Sequence, residues 1–231
     1  MYKAILFDLD DTLMTFEKSS DDSLSDCYKQ YYSDKIDSLD NFIRVFNDIN
    51  MSLWEKVDKL FLSVSEVRYL RFKELNQYFG INNLEEQSVA YIYELGLSKN
   101  IYWEPNAVPV LKHLSSKYLI GIITNGIESV QNKRYNNTEL GKYSQFCLSS
   151  EKAGVQKPNK KIFEIALGYL DLKPNEVLMV GDSLLSDFLG SLNIGIDFCW
   201  YNRKKKELLP QFYSNNPKFI IDDLQQLVAF I

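Results

Sequence analysis

Acidic side chains follow the first apolar run of the sequence directly. The run reaches Phe7 and is followed by Asp8, Leu9 and Asp10. Two carboxylates at this spacing lie on the same side of an extended chain. One could act as a nucleophile, and the other could donate and accept protons. A single Asp at a strand end would be interpreted as a turn residue, so the interpretation depends on the residues at the ends of the other apolar runs.

Later apolar runs are followed by a hydroxyl, an amide, a lysine and two more acids. Ligand sites of open parallel sheets lie beyond the carboxyl ends of the strands. We therefore predict that these side chains meet Asp8 and Asp10 in one site. In chain order they are Thr124, Asn125, Lys157, Asp182 and Asp187.

This combination of groups indicates phosphoryl transfer through an aspartyl-phosphate. We expect Asp8 to attack phosphorus and Asp10 to protonate the leaving oxygen and then activate water. Thr124, backbone N–H groups near Asn125, and Lys157 are expected to hold the phosphoryl oxygens as charge develops on them.

The same site is expected to need a divalent cation, because nucleophile and substrate are both anions. We predict that Asp8, Asp182 and the main-chain carbonyl of Asp10 bind this cation. Asp187 is expected to orient these ligands from behind. Mg²⁺ suits an oxygen-only ligand set, and Mn²⁺ accepts the same ligands.

The pattern of apolar runs predicts an α/β fold with a doubly wound parallel sheet. Several runs are continuous, which is typical of strands buried on both faces, and helical patterns alternate with them. The predicted strands are Ala4–Leu9, Leu119–Thr124, Phe146–Leu148, Val177–Val180, Ile194–Trp200 and Phe219–Ile221. The predicted helices between and after them are Val108–Leu114, Lys160–Leu170, Leu184–Leu192 and Leu224–Phe230.

A long segment after the first strand breaks this alternation and contains amphipathic helical patterns. Ser63 with Glu66 resembles a capping box, Gly80 is a suitable helix stop, and Asn83 with Glu86 could start the next helix. We predict an α/β core domain at residues 1–14 and 101–231 and an inserted all-helical cap domain at residues 15–100.

Four motifs, in this order, resemble those of the haloacid dehalogenase (HAD) superfamily. The resemblance implies a Rossmann-like core and a helical cap that closes over small substrates. An acid at the position of Asp10 favours phosphate esters, because members that cleave carbon–halogen or carbon–phosphorus bonds lack it there. The motifs are Asp8 to Thr12, Thr124 after its strand, Lys157-Pro158, and Gly181-Asp182 through Asp187.

A closer resemblance is to the noncanonical pyrimidine nucleotidases of this superfamily. It implies a magnesium-dependent 5′-nucleotidase acting on pyrimidine (deoxy)nucleoside monophosphates. Trp54 is then the candidate to stack on a base or sugar, and Arg71 the candidate to steer phosphate. The matching phrases are Leu119–Gly126, Lys157–Phe163, Leu178–Asp182, Leu53-Trp54 and Arg71-Phe72.

Alternatives to a nucleotidase remain open at this point. A sugar-phosphate phosphatase would share every core residue and differ only in the cap. A sugar-phosphate mutase would transfer the phosphoryl group to a second hydroxyl. A catalytically silent HAD-fold binding protein would be expected to lack Asp8 or Asp10, and both are present.

The composition indicates which kinds of partner and which cellular compartment to expect. The 231 residues carry a net charge of -5, which argues against a dedicated nucleic-acid binder, and Lys204–Lys206 is interpreted as a solvated loop. No apolar run approaches the length of about 20 residues that spans a membrane. Three scattered cysteines suit a reducing compartment. We expect a cytoplasmic monomer or weak homo-oligomer that binds a small phosphorylated substrate.

Overall fold

The centre of the protein is a six-stranded sheet in which every strand pair is parallel. The structure is a computed structural model that describes residues 1–231 apart from the side chain at position 58. The strands are β1 (Ala4–Phe7), β2 (Leu119–Thr124), β3 (Phe146–Ser149), β4 (Val177–Gly181), β5 (Asp197–Tyr201) and β6 (Phe219–Ile221). Their order in the sheet, β3-β2-β1-β4-β5-β6, is that of a Rossmann-like doubly wound sheet, which confirms the predicted fold class.

Helices cover both faces of this sheet and form the inserted segment. Apolar side chains from both faces of the strands pack against them in two separate buried clusters. Among the described residues, no helix has the length and apolar character that crossing a bilayer requires. The α-helices are α1 (Phe16–Cys27), α2 (Leu39–Asp58), α3 (Val64–Tyr78), α4 (Glu86–Lys99), α5 (Ala107–Leu114), α6 (Glu128–Asn136), α7 (Leu140–Tyr143), α8 (Ser150–Ala153), α9 (Lys160–Leu170), α10 (Leu189–Leu192) and α11 (Leu227–Phe230).

Two predicted elements differ from the observed ones around β4 and β5. The predicted helix Leu184–Leu192 begins as a π-helical turn over Leu184–Phe188 and becomes α-helical only at α10. The predicted strand from Ile194 starts later, at Asp197, because the chain first closes the preceding helix. Gly195, at φ +76°, and Ile196 donate backbone hydrogen bonds to the end of that helix.

The inserted segment is helical, as predicted, and has its own apolar interior. The rings of Phe46, Phe72 and Tyr93 lie 5.3 to 5.5 Å apart at its centre. The capping box of Ser63 and Glu66 is present at the start of α3. The prediction that Asn83 starts the next helix was wrong, because α4 begins at Glu86 with residue 85 at its N-cap.

The chain enters and leaves the inserted segment at adjacent points. Thr15 donates its backbone N–H to the carbonyl of Tyr102 at 2.8 Å, and Met14 forms an isolated bridge with Trp103. The buried Glu104 accepts a hydrogen bond from the Thr15 hydroxyl at 2.8 Å. The two connections are therefore tied together, and the segment between them lies beside the carboxyl ends of the strands. The division of the chain into domains at residues 15 and 100 stays a prediction.

Candidate active site

Lys157 lies at the centre of the predicted site, fully buried between two carboxylates. Its Nζ donates to Asp8 Oδ1 and to Asp187 Oδ1, both at 2.6 Å, and to the carbonyl of Ile123 at 3.1 Å. All three N–H bonds of the ammonium group are therefore used. Burial acts to lower the pKa of Lys157, but the ion pairs with Asp187 and Asp8 raise it above its ordinary value. Lys157 is thus a fixed positive charge beside Asp8.

Asn125 holds the loop that carries Lys157. Its Oδ1 accepts the backbone N–H of Lys157 at 2.8 Å, and its Nδ2 donates to the backbone carbonyl of the same residue at 3.1 Å. The Asn125 side chain is therefore committed to positioning Lys157. A role for residue 125 in binding phosphate falls to main-chain N–H groups and stays a prediction.

Thr124 ends β2 with its hydroxyl oriented by two donors. The Oγ1 atom accepts from the backbone N–H of Gly126 at 3.0 Å and from Gln131 Nε2 at 3.2 Å. With both lone pairs accepting, its O–H is left to donate. A hydroxyl held as a donor at the end of a strand suits an anionic oxygen of a substrate.

Asp10 contacts two residues that the sequence did not single out. Arg134 Nη1 donates to Asp10 Oδ1 at 2.5 Å, and Gln131 Nε2 donates to Asp10 Oδ2 at 2.7 Å. Arg134 also donates to Gln131 Oε1 at 3.0 Å. Both donors lie on α6 and are buried, with Arg134 only 1% exposed. The Asp10 carboxylate is therefore held at both oxygens.

The acids at the strand ends form a carboxylate cluster of Asp8, Asp182 and Asp187, whose ligand oxygens lie within 4.8 Å of one another. Lys157 offsets one of these three negative charges. Burial and the charge of Asp187 raise the pKa of Asp8 to about 7, although Lys157 opposes that rise. Burial and the charges of Asp8 and Asp187 raise the pKa of Asp182 well above its ordinary value.

This carboxylate cluster fits a hard divalent cation. It is a compact set of oxygen donors with more negative charge than its neighbours neutralise, which is the environment Mg²⁺ prefers. Asp187 belongs to the cluster by distance, yet its Oδ1 accepts from Lys157 and its Oδ2 from the Ser183 N–H at 3.2 Å. Those bonds suit the orienting role predicted for Asp187. The ligand role of the Asp10 carbonyl stays a prediction.

Two glycines allow the close approaches on which this arrangement depends. A Cβ atom at Gly181 would lie 2.3 Å from Asp187 Oδ2, and one at Gly126 would lie 1.8 Å from Gln131 Nε2. Any side chain at either position would displace a group that contacts the site.

A cavity of about 510 Å³ lies over these groups and reaches the inserted segment. Trp54 and Arg71, predicted as cap-side contacts, both line it together with Asp8. Arg71 is only 2% exposed, so it is a buried cation and not a solvated helix residue. Lys206 also lines the cavity, with its Nζ 3.9 Å from Asp182 Oδ2. Lys204–Lys206 are all exposed, as their interpretation as a solvated loop predicts, and Lys206 also faces the cavity.

The residues that sequence analysis missed are on helices. Gln131 and Arg134 are three positions apart, which places them on one helical face, and their helix follows the Thr124 turn directly. That spacing places the two side chains together, but it does not distinguish a face that meets the site from a solvated one. Asn50 on α2, which also lines the cavity, had no comparable signal.

Comparisons with known proteins agree with this architecture. The family model of haloacid dehalogenase-like hydrolases matches residues 2–195. The pyrimidine 5′-nucleotidase YjjG of Escherichia coli strain K12 is 31% identical over 206 residues, covering 88% of this chain and 87% of that protein. A glyceraldehyde 3-phosphate phosphatase of Pyrococcus furiosus is 34% identical over 128 residues, covering 55% of this chain and 53% of that protein. The crystal structure of the HAD-hydrolase YfnB of Bacillus subtilis, bound to magnesium, has a TM-score of 0.89 at 25% identity and covers 99% of this chain and 98% of that one.

Proposed function

The chain belongs to the haloacid dehalogenase-like hydrolases, and from that premise we propose that it hydrolyses pyrimidine nucleoside 5′-monophosphates through a phosphorylated Asp8. The observation that carries the proposal is the convergence of Asp8, Asp10 and Lys157 on one cavity that also contains apolar and cationic groups of the inserted segment. Such a cavity suits a substrate with a phosphate at one end and a flat organic group at the other.

In the first half of the reaction an Asp8 oxygen forms a bond to phosphorus while the bond from phosphorus to the ester oxygen breaks. Asp10 gives its proton to that leaving oxygen. In the second half the Asp10 carboxylate takes a proton from water, and the water oxygen attacks phosphorus. The bond to Asp8 then breaks and inorganic phosphate is released. Lys157 and the Thr124 hydroxyl stabilise negative charge on the phosphoryl oxygens throughout.

Asp8 and Asp182 would hold Mg²⁺, with Mn²⁺ as the other candidate, and Asp187 would keep the ligands oriented. When bound, the cation would reduce the repulsion between the Asp8 carboxylate and the substrate phosphate. The excess of carboxylates over cations in the site supports this assignment. The magnesium bound to YfnB of Bacillus subtilis also supports it.

The base of the nucleotide substrate would lie against the inserted segment. Trp54 offers an aromatic face for a planar base, and Arg71 adds a buried positive charge at the same cavity. The similarity to the E. coli pyrimidine 5′-nucleotidase, which extends over most of both chains, favours a nucleotide. A glyceraldehyde 3-phosphate phosphatase of Pyrococcus abyssi is 28% identical and covers the whole of this chain, so a sugar-phosphate phosphatase is the second candidate function, supported at slightly lower identity.

Phosphate release from a substrate panel tests the proposal. The panel contains UMP, TMP, CMP, AMP and several sugar phosphates, each assayed with Mg²⁺ and with a chelator. We expect the highest kcat/KM with a pyrimidine nucleotide and loss of turnover in the chelator, because the carboxylates would then repel the phosphate. Preference for a sugar phosphate would reject the nucleotidase assignment but keep the core chemistry. Full turnover in the chelator would reject the metal assignment.

Arg134→Met should lower kcat by roughly ten- to a hundredfold while KM changes by less than about threefold. General acid–base catalysis contributes about 10²- to 10⁴-fold, and Met removes the donor that holds one oxygen of Asp10. Steady-state kinetics checks the prediction, with Lys133→Met as the matched control because Lys133 is exposed on the same helix. A normal kcat in the Arg134 variant would mean that Asp10 needs no positioning by Arg134.

A further inference from the structure

Gln156 forms hydrogen bonds between the core and the inserted segment. Its Nε2 donates to the backbone carbonyl of Val57, near the end of α2, at 2.9 Å, and to that of Leu62, just before α3, at 3.2 Å. Both N–H bonds of the amide are therefore used. Gln156 directly precedes Lys157 in the chain. It thus connects the end of α2 and the start of α3 to the loop that carries Lys157.

The two helices joined to the core in this way form one wall of the cavity. They supply Asn50, Trp54 and Arg71 to its lining, and Trp54 lies less than one helical turn before Val57 on α2. Among the residues that the structure describes, no other side-chain hydrogen bond or ion pair joins α2, α3 or their connection to the core. The polar attachment of this wall to the core therefore depends on Gln156.

The loop at the core end of these hydrogen bonds is fixed without the Gln156 side chain. Asn125 accepts the backbone N–H of Lys157 and donates to its carbonyl. The backbone carbonyl of Gln156 accepts the N–H of Asn159 at 2.9 Å. Loss of the Gln156 amide should therefore leave Lys157 in place and release only the other partner, which is the α2–α3 end of the inserted segment.

We propose that Gln156 is a positioning residue that holds the α2–α3 end of the inserted segment at a set distance from the phosphate-binding groups. It thereby favours substrates long enough to contact both. A nucleotide spans this distance, and the inference rests on the proposed function to the extent that UMP is such a substrate. A free phosphate ion contacts the core alone, so its binding does not need Gln156.

Gln156→Met removes the donors at nearly unchanged side-chain length. We expect KM for UMP to rise about tenfold, the effect of losing two neutral hydrogen bonds, while kcat changes by less than about threefold. Inorganic phosphate, measured as a competitive inhibitor of UMP hydrolysis, should bind within about twofold of its original affinity, because its partners are unchanged. An unchanged KM, or a loss of phosphate affinity equal to the rise in KM, would overturn the inference.

Two further variants separate the lost donors from other effects of the substitution. Gln156→Arg retains N–H donors that can reach the two carbonyls, and should return KM for UMP to within about threefold of the unmodified value. Gln77→Met is the matched control, because Gln77 is exposed on α3, and should leave KM unchanged. A Gln156→Arg protein as impaired as Gln156→Met would show that the hydrogen bonds are not what matters, and would overturn the inference.

A distance measurement tests the inference without a substrate. Nitroxide labels are attached after Lys73→Cys on α3 and Lys161→Cys on α9, both exposed positions, with Cys147→Ser to remove a half-buried thiol. Adding Gln156→Met should broaden the distance distribution and extend it to longer distances. An unchanged distribution would overturn the inference even if UMP is hydrolysed. A distribution that broadens in a protein that does not hydrolyse UMP would reject the nucleotidase assignment and keep the positioning role.

Discussion

Asp8→Asn should reduce kcat for nucleoside monophosphates by at least about 10⁴-fold, in the range measured when a catalytic nucleophile is removed from other hydrolases. An amide oxygen is a poor nucleophile and cannot form the aspartyl-phosphate. The variant should still fold, because the substitution removes one negative charge from a cluster of buried carboxylates. Burial and the charge of Asp187 both raise the pKa of Asp8, so a neutral side chain is tolerated at this position. Steady-state kinetics and thermal unfolding measure the two effects.

The matched control for this substitution is Asp171→Asn. Asp171 is exposed beyond the end of α9, at φ +54°, a conformation that Asn adopts readily. The control should keep normal turnover and thermal stability. Turnover above about 1% in Asp8→Asn would contradict the assigned nucleophile, since contamination by unmodified protein is readily excluded at that level.

Lys157→Met should abolish detectable turnover and also destabilise the protein. Lys157 is the buried cation between Asp8 and Asp187, at 2.6 Å from each. Removing one partner of a buried ion pair typically costs about 3–5 kcal/mol of folding free energy, because it leaves an uncompensated charge. Urea unfolding measures this loss of folding free energy. We expect the loss to be larger with a chelator than with Mg²⁺, because a bound cation would offset part of the repulsion between Asp8 and Asp187.

Lys161→Met provides the comparison for Lys157, because Lys161 is on the surface of α9 with 62% of its side chain exposed. It should change stability by less than about 0.5 kcal/mol. An equally small change in Lys157→Met would show that the carboxylates need no buried cation. If Lys157→Met lost the same folding free energy in chelator and in Mg²⁺, that result would instead argue against a cation at these carboxylates.

The sheet was predictable because its strands are buried on both faces. Runs such as Val177–Val180 are continuous and apolar and end in Gly or polar residues, so their type and number were clear. Their spatial order was not, since it depends on how the crossovers pack. The π-helical turn over Leu184–Phe188 was also missed, because a period of 3.6 residues does not distinguish one wider turn from an α-helix.

Some residues of the site were predictable from the sequence and others were not. Asp8 and Asp182 were predictable because each directly follows a strand, and strand ends of a parallel sheet converge. Lys157 lies beyond β3 and α8, and was predicted from its place in the Lys157-Pro158 motif. Gln131 and Arg134 were not predicted, because polar residues on a helix usually form its solvated face. Only the packing of α6 against the strand ends reveals that these two are buried and contact Asp10.

The most direct test of the central claim is to trap the phosphorylated protein. The protein is mixed with UMP labelled with ³²P at the 5′ position and with Mg²⁺, quenched in acid within milliseconds, and digested for peptide mapping. We predict label on the peptide that contains Asp8, lost on treatment with hydroxylamine as an acyl phosphate should be, and absent from Asp8→Asn. Rapid release of phosphate from UMP with no label on that peptide, or label on another residue, would contradict the account.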